Sequence, residues 1–186
     1  CLNLPLDIRY KPENMYVAII PGPNEPSKTE LNHYIRPVVN SFVASWERGV
    51  RFSRTAQHPE GLIATWAMAA AVNDLPAARQ FSQCAGHSSH HYCSRCSCYG
   101  KDKHHRVDVE HKDWEPKDVD DLRQKAEAWR TAPTRKIQED LFSKNGLRWT
   151  ELWRLPYWDP TKMLVVDSMH CLLEGLAQYH FRYVLG

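Results

Sequence analysis

Leu62 to Pro76 reads LIATWAMAAAVNDLP, and the fold depends on how this stretch divides. From Leu62 to Val72 the run is apolar apart from Thr65, and Asn73, Asp74 and Pro76 follow at once. It is long for a fully buried strand and short for a helix, so periodicity alone does not separate the two. The turn residues that end it and the helix-forming AARQF at 77–81 select strand, turn, helix, with a carboxylate delivered to the end of a buried element. Rigid strand ends beside an open crevice suit metal-dependent phosphoryl chemistry. Asp74 is therefore a candidate ligand for Mg²⁺ or Mn²⁺, which favour oxygen donors. The competing reading is a helix N-cap, since Asp before Leu-Pro-Ala is a good helix start.

Working towards the N-terminus, Val50 to Glu60 is ambiguous, with room for a short strand. Ser27-Lys-Thr-Glu30 has capping-box spacing and predicts a helix from about Lys28 with Leu31, Ile35, Val38, Phe42 and Trp46 on its buried face, a kink at Pro37 and a stop at Gly49. LNLPLD at 2–7 and YVAII at 16–20 read as two strands, the second closed by PGP at 21–23. On the other side, Pro76 to Gln83 continues as helix. Asp118–Trp129 and Pro133–Lys144 read as two more, the latter ended by Asn145-Gly146. LRWTELWRLPYWD at 147–159 brings three tryptophans to cap a core or cover a groove. MLVV at 163–166 is a short buried strand. A last helix starts at Asp167 or Ser168 and runs to about Leu185, with Met169, Leu172, Leu173 and Leu176 inward. The fold class is α/β: a mixed sheet with flanking helices, interrupted by an insertion.

That insertion begins where composition changes. Six of the ten histidines and four of the six cysteines fall between Cys84 and His111, while apolar residues thin out. Such a segment cannot pack a core of its own and needs a metal or a host domain. Cys93 and Cys96 in CSRCSC suit a thiolate clamp on zinc better than disulfides, and Cys84, Cys98 and His104 compete with other histidines for the remaining positions. Free thiols in a surface loop are the bland alternative. A redox Cys-x2-Cys is disfavoured, because no helix start follows to depress a thiol pKa.

A net charge of +2 does not announce a nucleic-acid binder, so any DNA contact must come from local patches. Lys101, Lys103, His104, His105 and Arg106 form one; Arg123, Lys125, Arg130, Arg135 and Lys136, with Trp114, Trp129 and Trp149 nearby, form another. Acidic residues are mixed into both, which favours a solvated mixed-charge surface. No apolar run reaches the length of a membrane span, and the start of the chain lacks a secretion signal, so an intracellular protein is expected. Asp167, His170 and Glu174 fall within about 60° on one helix face and form a second candidate ligand set. Their alternatives are a cap, a core histidine and a solvated face.

NLPLDIRYKPENMYVAIIPGPNEPSKTELNHYIRPVVNSFVASWERGV at 3–50 resembles a stretch of CACTA (En/Spm-type) DNA transposases, in which a strand ending in IPGP precedes a helix carrying Pro and then Trp-x2-Gly. AVNDLPA at 71–77 is similar to that family's second catalytic aspartate segment, with Cys93-x2-Cys96 following as expected. LPYWDPTKMLVVDSMHCLLEG at 155–175 resembles its later Leu-Pro and Asp-x-Met-His segment. The resemblance implies an RNase H-like fold and part of a metal-dependent DDE/D transposase core. The first catalytic aspartate is then expected upstream of Cys1, so this chain alone lacks the full acidic triad. The third acid is Glu174 or a residue beyond Gly186, and Asp167 and His170 support the site. In such enzymes metal-activated water cleaves at the element ends and the freed 3′ hydroxyl attacks target DNA. Implied with it are Mg²⁺ or Mn²⁺ for catalysis, structural Zn²⁺, DNA ends and target as partners, a homo-oligomer in a synaptic complex, and a nuclear location. The expected division is a core at 1–83, the Cys/His-rich and helical insertion at 84–150, and a return of the core at 151–186. The rival reading is a non-catalytic, zinc-stabilised DNA- or protein-binding module derived from a transposase. A third is an unrelated metallohydrolase using Asp167, His170 and Glu174 alone.

Overall fold

A computed structural model describes residues 2–15, 19–86, 88–98 and 114–186 as a mixed α/β protein in which helix predominates over four short strands. The strand expected at Leu2–Asp7 is instead a turn leading into α1, Leu6–Arg9. Arg9 folds back to donate to the Leu2 and Leu4 carbonyls, satisfying locally the groups a strand would offer a partner. In the second expected strand, residues 16–18 lie outside the described residues, and Ile19 and Ile20 carry no strand.

Helix α2, Leu31–Arg48, starts at the predicted capping box. The Glu30 carboxylate accepts from the Ser27 N–H at 2.8 Å, and Ser27 Oγ accepts from the Glu30 N–H at 3.3 Å. It ends at Gly49, whose φ of +70° favours glycine. The buried side is turned slightly from the expected row. Ile35, Val39 and Ser45 are buried, whereas Trp46 is half exposed and leans on Tyr157 with ring centres 4.4 Å apart. The seam follows contact with the 3₁₀ turn Glu151–Arg154.

The central run does not make one long strand. Leu62–Ala64 forms β2, antiparallel to β1 at Val50–Phe52; Ala71–Asn73 forms β3, parallel to β4 at Leu164–Val166. Between them Ser45 Oγ accepts from the Trp66 N–H at 2.5 Å and donates to the Trp66 carbonyl at 3.2 Å. A ladder cannot run through a residue whose two backbone polar groups are both taken by a side chain, and the adjoining alanines have weak strand preference. Among the described residues, two two-stranded sheets thus stand in place of the single mixed sheet expected.

Asp74 then opens α3, Leu75–Phe81, and the later helices α4, Val119–Thr131, and α5, Arg135–Asn145, start at Asp118 and Thr134, whose side-chain oxygens accept from Asp121 and Ile137. Gly146, at φ +66°, ends α5. The tryptophan-rich segment takes the predicted core role: Trp153, Leu155 and Trp158 are at most 2% exposed and meet α2, α3 and α4 residues in one cluster. α6, Pro160–Met163, leads directly into β4.

The last helix forms where expected but is π-helical, at Met169–Ala177 and His180–Val184, and neither part contains a buried residue. Met169, Leu172, Leu173 and Leu176 do not face inward; each is at least 42% exposed. No described helix is long and apolar enough to cross a membrane.

Candidate active site and cysteine centre

The parallel pair β3–β4 determines where the acidic residues lie. Asn73 is opposite Val166, and the Asp167 N–H donates to the Asn73 carbonyl at 2.8 Å, so Asp74 and Asp167 are the next residues on adjacent strands. Neighbouring strands lie about 5 Å apart, so both aspartates leave the sheet side by side at its carboxyl edge. Each also caps: Asp74 Oδ1 accepts from the Ala77 N–H at 2.7 Å, and Asp167 Oδ1 from the Met169 N–H at 3.0 Å. Asp167 Oδ2 meets His170 Nδ1 at 2.6 Å. His170 is half exposed in this ion pair, which excludes the core-histidine reading. The bond from Asp167 raises the His170 pKa, and the charges of Asp167, Glu174 and Asp74 add to it. The same bond holds Asp167 below the usual carboxylate range, helped by the Met169 N–H. The four predicted groups thus share one electrostatic neighbourhood. They do not bring three donor atoms within 4.8 Å of one another.

Cys93, Cys96 and Cys98 do converge, with all three sulfurs within 4.8 Å. The N–H groups of Arg95 and Cys96 donate to Cys93 Sγ at 3.4 and 3.3 Å, a wrap that suits a thiolate. Burial opposes ionisation of Cys93, but these donors outweigh it and lower its pKa. Burial and the adjacent Cys93 sulfur push Cys96 up to about 11. Three clustered sulfurs, one favoured as thiolate, fit a soft or borderline metal such as zinc. Cys84 lies outside this group, against the core, where burial raises its pKa. His104, with His87, His105, His111, Lys101, Lys103 and Arg106, lies outside the described residues.

A family model described as transposase family tnp2 matches residues 1–140. The chain belongs to the tnp2 transposase family. No curated protein and no solved structure matches it. The matched span of this tnp2 chain includes Asp74 and the three cysteines; Asp167, His170 and Glu174 follow it.

Sequence reasoning missed the residues that hold the cysteine loop in place. Arg79 of α3 donates to the Ala85 carbonyl at 2.9 Å and to the Tyr92 carbonyl, tying the cysteine loop to the helix that Asp74 caps. Lys117 Nζ donates to the Cys93 carbonyl at 2.6 Å. Main-chain bonds from Ser97 to Glu115 and from Lys117 to Arg95, both 2.8 Å, close the loop. Apart from the bond to Ala85, these contacts join residues well apart in the chain and leave no local signature. Arg123, read as part of a basic patch, is structural: it donates to the Trp153 and Leu155 carbonyls and lies over the Trp153 ring.

Proposed function

We propose that this chain is part of the catalytic domain of a CACTA-type transposase, with an RNase H-like core, that cleaves DNA at transposon ends and transfers the strand in the nucleus. The observation that carries the reading is the parallel register that sets Asp74 and Asp167 side by side at one sheet edge. Bound Mg²⁺ or Mn²⁺ would activate the attacking oxygen and stabilise the leaving one. The chain's own part is to present Asp74 and Asp167 as hard oxygen donors, with Glu174 as a further acid. His170 orients the Asp167 carboxylate and tempers its charge. The cysteine centre, holding zinc, fixes the loop that follows α3. A homo-oligomer bridging two element ends is part of this proposal. The test is strand cleavage by the complete polypeptide that includes this chain: Asp74→Asn and Asp167→Asn should each abolish Mn²⁺-dependent cleavage of a transposon-end duplex without loss of fold. Full cleavage by Asp74→Asn would overturn the assignment.

One observation favours a second reading, a zinc-stabilised binding module. The Asp167 charge is already balanced by His170, and the acidic groups lack three converging donors. On that reading, DNA binding persists and cleavage never appears.

A further inference from the structure

Away from both centres, α2, the α4–α5 hairpin and residues 148–154 enclose two adjoining clefts of 450 and 500 Å³ that share Thr29. Arg36, Arg130 and Arg154 line the first, and Lys28, Arg135 and Arg148 the second. Three carboxylates offset them. Glu151 bridges Arg36 and Arg154 at 3.0 Å each, Glu139 pairs with Arg135 at 3.1 Å, and Glu127 pairs with Arg130. With Glu30, whose carboxylate acts on the cleft residue His33, six cations face four carboxylates, an excess of two that equals the net charge of the whole chain. The charge is therefore concentrated on this face.

Rings alternate with these cations. Arg130 lies 4.8 Å over Trp149, Arg148 lies 3.3 Å over Phe142, and Trp129 lines the second cleft. The Arg148 Nη1 is buried without a hydrogen-bond partner, a donor that folding has desolvated and left unused. A row of guanidinium groups interleaved with partly buried aromatics complements a polymer of phosphates carrying planar rings.

We propose that these two clefts form one groove that binds the sugar–phosphate backbone of DNA. The proposal takes from the transposase reading only that DNA is the polymer; it does not depend on Asp74 or Asp167. Binding measured without added divalent ions therefore separates the two, because the cleavage reading requires metal. The experiment is fluorescence anisotropy of labelled duplex and single-stranded oligonucleotides over a salt series, using the full chain and the variants Arg36→Gln, Arg135→Gln and their combination. Each lost phosphate contact should reduce the log–log salt slope by about 0.9 on duplex, weakening binding about fivefold at 0.15 M salt and about 30-fold for the pair. Arg54→Gln, an exposed arginine outside the groove, should bind as the parent. Where Arg36→Gln lowers the melting temperature, Lys28→Gln takes its place. Unchanged affinity and slope in the double variant would overturn the groove, as would an equal loss in Arg54→Gln. Displacement of DNA by low millimolar inorganic phosphate at constant ionic strength would reassign the clefts to a small anion, and equal competition by polyglutamate to an acidic protein.

Discussion

Ser45→Ala removes one oxygen and tests how the central run is divided. Ser45 is fully buried, and its hydroxyl makes both the 2.5 Å and the 3.2 Å bond to Trp66. Each such bond contributes about 1 kcal/mol net, and the loss leaves the Trp66 N–H and carbonyl without these partners, so the change should cost about 2–3 kcal/mol. Alanine is close in volume and a better helix former, which keeps packing and propensity terms small. For a chain of this size that corresponds to a fall of about 4–12 °C in Tm. Thermal unfolding followed by circular dichroism reads it, with Ser41→Ala, exposed on the same helix, as the control. Ser45→Ala melting within a degree of the parent would show that the Trp66 tether is not what ends β2 and resets the chain for β3.

Two further predictions concern the candidate sites. Cys98→Ser should weaken zinc binding about 100-fold or more, since changes beyond the ligand shell alone cost 10–100-fold, while Cys84→Ser should leave it unchanged; competition with a chromophoric chelator measures both, and equal losses would contradict the assignment. The Asp167–His170 pair should stabilise the fold most between pH 3.8 and 6.5, the ordinary values of its two groups. The His170 contribution is complete below 6.5 and is lost as pH rises through its raised pKa. The Asp167 contribution is present above 3.8 and is lost as pH falls through its lowered pKa. In an NMR titration, Asp167→Asn should lower the His170 midpoint; an unmoved midpoint would refute the pairing.

What could be read from the sequence was local. The capping box at Ser27 and Glu30, the stop at Gly49, the helix starts near Asp118 and at Asp167 or Ser168, the cap that competes with a metal role at Asp74, and the short strand within 163–166 each follow from a few neighbouring residues, and each is present. The division of Leu62–Asn73 was not legible, because the side chain that interrupts it lies about twenty residues earlier and announces itself only as a polar residue near the end of an amphipathic helix. The final helix failed differently. Its apolar spacing predicts a helix, which forms, but burial depends on a partner surface, which periodicity does not supply. In the cysteine cluster, sequence spacing singled out Cys93 and Cys96; which of Cys84 and Cys98 joins them was decided by the fold. Arg79 and Lys117 hold that loop through main-chain carbonyls, contacts that no motif encodes.

On the proposed function, Asp74 and Asp167 together hold a divalent ion. Manganese binding followed by electron paramagnetic resonance tests it directly, comparing the chain with Asp74→Asn and Asp167→Asn. Asparagine caps a helix about as well as aspartate, so Asp74→Asn keeps the Ala77 hydrogen bond while removing the charge. Each variant should lose at least about tenfold in Mn²⁺ affinity, as expected when one of two carboxylate ligands is neutralised, with Asp74→Asn unchanged in Tm. Mn²⁺ affinity equal to that of the parent in both variants would show that these aspartates only cap helices.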